Sequence, residues 1–140
     1  MALEAKATWK GGFKFDGVDS SGRVMKMDAS VGAGGEGDGF RPAELPLMAL
    51  VGCTGMDTIE ILQRMRQPVE AVEVTARAEK KDGYPAGYKE IVLEYIIRGK
   101  GLSTEKVEHA VRLSEEKYCT VGRALATSTK ISHRIDIVEE

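Results

Sequence analysis

Residues 42–65 read PAELPLMALVGCTGMDTIEILQRM, and the reading of this stretch decides the fold. Pro42 can open a helix, because its fixed φ and missing N–H are tolerated in a first turn. Leu45, Leu47, Met48, Leu50, Val51, Met56, Ile59, Ile61, Leu62 and Met65 follow at helical spacing. They are apolar on more than one face as far as Leu50 and Val51 and more amphipathic beyond. A helix apolar nearly all round belongs at the centre of a core, and Pro68 ends it. Cys53 sits mid-helix between Gly52 and Gly55, where small neighbours leave room for another backbone or a ligand.

Outward from this helix, the first 30 residues alternate and turn: Ala5, Ala7 and Trp9, then Gly11-Gly12, Phe13 and Phe15, Ser20-Ser21-Gly22, and Val24 to Met27. That pattern predicts a short antiparallel meander. VGAGGEGDG, from Val31 to Gly39, suits a mobile loop and lacks the Gly-Lys-Ser/Thr ending of a phosphate-binding loop. On the other side, Val72, Val74, Ala76 and Ala78 alternate with polar residues as in a half-buried strand. DGYPAG is a turn, and Ile91, Leu93, Tyr95 and Ile97 face one way on the returning strand. Ser103 or Thr104 can cap a second helix with Val107, Val111, Ser114 and Tyr118 on its apolar side and Cys119 at its end. Ile131, His133, Ile135 and Ile137 make a last strand. The expected architecture is one α+β domain over residues 1–140, with an antiparallel sheet wrapped around a long central helix. Such a sheet covers one side of the helix, so a second copy of the chain is the natural cover for the other.

The 140 residues carry 20 basic and 22 acidic side chains without runs, a net charge of −2 that offers no footprint for nucleic acid or anionic lipid. No stretch of about 18 consecutive apolar residues is present, and MALEAKATWK is no signal peptide. The expectation is a soluble cytoplasmic protein with neither membrane nor nucleic-acid partner. Cys53 and Cys119 are the only cysteines, and neither belongs to a CxxC pair. This leaves a long-range two-thiol site, or two inert buried thiols, in a compartment that keeps thiols reduced. With His109 and His133 they fit no compact zinc motif, so neither a metal nor another cofactor is expected. No GxSxG elbow supports hydrolase chemistry.

PAELPLMALVGCTGMD around the first cysteine, the hairpin after it, EKYCTVGRAL around the second and a short terminal strand together resemble the OsmC/Ohr superfamily. The resemblance implies an intertwined homodimer with the long helices at its centre. It also implies thiol-dependent reduction of hydroperoxides near the subunit interface, with an external dithiol regenerating the enzyme. On this resemblance Cys53 is the peroxidatic thiol, which attacks the O–O bond as a thiolate and becomes a sulfenic acid. Cys119 is the resolving thiol that condenses with it. GCTGMDTIEILQRMR looks closer to the broad OsmC-like branch than to the hydroperoxide resistance branch. The latter carries a Pro-Glu pair ten residues before the first cysteine; here Pro42-Ala43 stands there, with Glu44 one position later. Because an ordinary thiol is mostly protonated at neutral pH, the site needs a cation. Arg41 is the first candidate, ahead of Arg23 and Arg123. Glu44 can orient such an arginine, or can be a favourable acid in a helix first turn. Asp57, one turn beyond Cys53, reads as a structural or interface residue, because its charge would oppose thiol ionisation. The competing reading is a non-catalytic dimeric module that binds a small hydrophobic molecule.

Overall fold

The computed structural model describes residues 2–83 and 85–139. Its elements are β1 (Lys6–Trp9), β2 (Phe15–Val18), β3 (Val24–Met27), α1 (Leu45–Arg64), β4 (Val69–Lys80), β5 (Tyr88–Gly99), α2 (Thr104–Leu113), α3 (Thr120–Leu125) and β6 (Lys130–Val138). The chain forms two compact units that divide between Pro46 and Leu47.

In the first unit the expected meander is present, with β1 antiparallel to β2 and β2 to β3. The glycine-rich stretch after it is organised rather than loose, which corrects the expectation of a mobile loop. Asp28, 2% exposed, accepts hydrogen bonds from the backbone N–H groups of Ala29, Glu36 and Asp38. Those donors, Asp38's first, hold its carboxyl below the usual carboxylate range. The composition of the loop hid this, because the organising carboxylate lies before it. Gly35 is required there: a Cβ would stand 2.1 Å from the Ala29 carbonyl oxygen.

The second unit is built on the hairpin of β4 and β5, whose inward positions face each other across the strands: Val72 and Ile97, Val74 and Tyr95, Ala76 and Leu93, Ala78 and Ile91. Lys81 donates its N–H to the Gly87 carbonyl at 2.7 Å where the hairpin turns; Tyr84 of the DGYPAG turn lies outside the described residues. The α+β class is as expected, but the sheet is not wholly antiparallel. β6 runs parallel to β5, with Ile91 beside Ile131 and Ile97 beside Ile137. The physical reason is the connection: α2 and α3 carry the chain back across the sheet, so β6 starts from the same end as β5. The strands therefore form two separate three-stranded sheets, β1-β2-β3 and β4-β5-β6.

Ile91, Leu93, Tyr95 and Ile97 of β5 are all at most 1% exposed and form the core with Leu50, Leu62, Val107, Ala110 and Val111. α1 buries one stripe at four-residue spacing, Leu50, Thr54, Thr58 and Leu62. Its end is a Schellman turn, in which Gln67 N–H reaches the Leu62 carbonyl and Arg66 N–H the Gln63 carbonyl, with Arg66 at φ 57°. The opposite side of α1 stays open in the single chain, where Met56 is 76% exposed. By length and composition alone Pro42–Arg64 could cross a membrane, yet Leu50 and Leu62 are spent in this core.

Ser103 caps α2 by accepting the Lys106 N–H at 3.3 Å. The helix then widens into a π turn, Ser114–Tyr118, closed by Cys119 N–H on the Ser114 carbonyl at 2.7 Å. This turn breaks the helical spacing that would place Tyr118 against the core, and Tyr118 is 52% exposed. Cys119 consequently begins α3 instead of ending α2.

Candidate functional site

α1 presents Cys53 and, one turn later, Asp57 on one face. The π turn delivers Cys119 to the same place from the other side of the core. The two sulfurs and an Asp57 carboxylate oxygen all lie within 4.8 Å of one another. Both thiols are free, Cys53 half-buried and Cys119 only 3% exposed. The structure therefore brings the two predicted cysteines together. It also brings in Asp57, to which the sequence alone gives a structural or interface role.

Each member is held by local chemistry. Cys119 is the N-cap of α3, its Sγ accepting the Gly122 N–H at 3.2 Å. Gly122 eases that approach, because a Cβ there would stand 3.3 Å from the sulfur, a tight contact. Ser114, fully buried, sets its Oγ 3.3 Å from Asp57 Oδ2 and 3.4 Å from the Thr54 carbonyl oxygen. Burial raises the Asp57 carboxyl above its ordinary value, against the opposing Ser114 hydrogen bond. Burial, followed by the hydrogen bond to Cys53, pushes the Cys119 thiol up to about 11.

Beside Cys119 lies a cavity of about 530 Å³ whose lining includes Leu93, Arg112, Glu115, Gly122 and His133. Of its lining residues, Glu115 accepts from Tyr95 Oη at 3.0 Å through Oε2, and its Oε1 is 3.1 Å from His133 Nδ1. The Tyr95 and His133 rings meet edge to face. Burial, and then the Glu115 charge, drive the Tyr95 hydroxyl well above its usual range, so it remains a donor. Sequence reasoning missed this set. Its only signal was a tyrosine and a histidine among the inward positions of two strands.

In the first unit, Arg41 Nε and Glu44 Oε2 pair at 2.6 Å, with both side chains more than half exposed. The two residues meet in the turn that leads into α1. Arg23 pairs with Asp19 at 3.1 Å in the β2–β3 turn, and Arg123 lies exposed on α3. His109 stands 3.5 Å from Arg112 Nη2 on α2. Gly52 has nothing near the place where a Cβ would stand, so within one chain its smallness admits no close neighbour. It instead lines an open apolar groove of about 470 Å³ with Met48, Val51, Gly55, Met56 and Ile59.

A fold of this order, with two thiols converging from a long helix and a short C-terminal one, has relatives. The family model described as OsmC-like protein matches residues 35–134. The chain belongs to the OsmC-like family. Protein YhfA of Escherichia coli strain K12 is 36% identical over 137 residues, 97% of this chain and 98% of YhfA. A hypothetical protein from Aquifex aeolicus VF5 superposes with a TM-score of 0.82 at 28% identity, covering 99% of both chains. An organic hydroperoxide resistance protein OsmC from Legionella pneumophila superposes at 0.72 over 97% of each chain. At 18% identity this last likeness establishes the shared OsmC-like fold alone.

Proposed function

We propose that this chain is a thiol-dependent peroxidase that reduces organic hydroperoxides or hydrogen peroxide through Cys53 and Cys119. The observation that carries the reading is the convergence of two free sulfurs to within 4.8 Å inside an OsmC-like fold. The Cys53 thiolate attacks the O–O bond; the alcohol leaves with a proton, and Cys53 becomes a sulfenic acid. The neutral Cys119 thiol then displaces the sulfenic hydroxyl, its proton leaving in the water formed, and a disulfide remains. An external dithiol reduces that disulfide and is itself oxidised. A cytoplasmic location, where such dithiols are maintained, suits this cycle.

From the sequence resemblance we carry Arg41 forward as the cation that favours ionisation of Cys53, with Glu44 as the arginine's partner. Hydroperoxide consumption measured against pH tests both the reaction and this role. The wild type is expected to consume about one equivalent of cumene hydroperoxide per chain without reductant, and to turn over when a dithiol is added. Arg41→Ala should be slower at neutral pH, with the gap closing at high pH, where the thiol ionises unaided. Superimposable profiles would remove Arg41 from the mechanism. No consumption at any pH would favour the competing reading, a non-catalytic dimeric module that binds a small hydrophobic molecule.

For the open apolar groove on α1 we propose a second copy of the chain as the occupant, because the groove exposes Met56 at 76% and Met48 at 45% along the longest helix. Obligate interfaces of this kind usually bury more than about 2,000 Å². Sedimentation at micromolar concentration should show a dimer only; a folded monomer there would contradict the assignment.

A further inference from the structure

We propose that the reduced Cys53, Cys119 and Asp57 side chains form a binding site for a thiophilic divalent cation of the zinc class. Three donor atoms from two elements lie within 4.8 Å of one another at the edge of the core. A tetrahedral centre with bonds of about 2.0–2.3 Å needs donors roughly 3.3–3.8 Å apart, so small side-chain rotations close the set. Two sulfurs and one carboxylate are a donor set for zinc or cadmium, not for magnesium or calcium. The carboxylate already has a buried outer partner, the Ser114 hydroxyl at 3.3 Å, which is how ligating carboxylates are held in orientation. Neither histidine belongs to the set: His109 is beside Arg112 and His133 beside Glu115.

Binding changes no oxidation state. Each cysteine loses its thiol proton to solvent and coordinates as a thiolate, and a fourth position stays open to water. An occupied site offers peroxide no free thiolate, so the cation acts as a brake on thiol oxidation. Conversely, a Cys53–Cys119 disulfide removes two of the three donors and releases the cation.

The test is titration of the thiol-reduced wild type with Cd²⁺, followed by the ultraviolet sulfur-to-cadmium charge-transfer band. Saturation is expected at one Cd²⁺ per chain. Cys53→Ser and Cys119→Ser should each lose stoichiometric binding, and Asp57→Asn should keep the band with a weakened affinity. The absence of a saturating band, or an unchanged affinity in Asp57→Asn, would overturn the site. Should that variant fail to fold, Zn²⁺ on the wild type decides the same point: both cysteines should be protected from alkylation, and unprotected alkylation overturns the site. The readout is independent of catalysis. A working peroxidase with no band sinks the metal site alone, and a saturating band in a chain that consumes no peroxide leaves it standing.

Discussion

Cys53→Ser is expected to reduce peroxide consumption to the uncatalysed background, whereas Cys119→Ser should carry out the first attack and then stop at one equivalent per chain. The asymmetry follows from the two environments. Cys119 is 3% exposed, and burial pushes its thiol up, which disfavours the thiolate that attacks an O–O bond. Cys53 is half-buried on the face of α1 and is the sulfur left to react. Without Cys119, the sulfenic acid on Cys53 has no partner thiol within 4.8 Å and should be captured by a dimedone-type probe. Equal labelling of both variants, or loss of the first turnover in Cys119→Ser, would reverse the assignment.

Ile97→Ala should destabilise the chain by about 2–5 kcal/mol, the usual range for removing an aliphatic side chain from a filled core. Ile97 has no exposed surface and stands at the middle of its sheet, between Val72 on β4 and Ile137 on β6. At about 2–4 °C per kcal/mol for a chain of this size, the melting temperature should fall by roughly 5–20 °C at fixed protein concentration. A loss below about 1 kcal/mol would mean that β5 does not run through the centre of the core.

β5 was legible in the sequence because alternation at Ile91, Leu93, Tyr95 and Ile97 has one structural meaning once a sheet covers a single face, and all four are buried. The same periodicity says nothing about strand direction. Ile131, Ile135 and Ile137 alternate identically in a parallel or an antiparallel strand, and only the two-helix connection before them distinguishes the cases. Likewise, Val31 to Gly39 read as a loose loop because its order comes from the buried Asp28 carboxylate, upstream of the loop itself.

The two cysteines could be named from their surroundings, but their convergence could not, since it depends on a π turn that no spacing rule anticipates. Ser114 fell on the apolar side of the second helix, and a hydroxyl in that position needs a buried partner. Asp57 on α1 is that partner. A lone carboxylate opposes thiol ionisation, which is why spacing alone gives Asp57 no part in the site. In the folded chain burial and the Ser114 contact change its environment and leave it beside both sulfurs.

Whether Cys53 and Cys119 act as one redox pair is decided by counting free thiols and weighing the intact chain before and after one equivalent of cumene hydroperoxide. The expected result is the loss of both thiols per chain and a mass lower by two hydrogens, with no oxygen retained. An unchanged thiol count, or a chain that gains oxygen at Cys53 while Cys119 stays free, would contradict it.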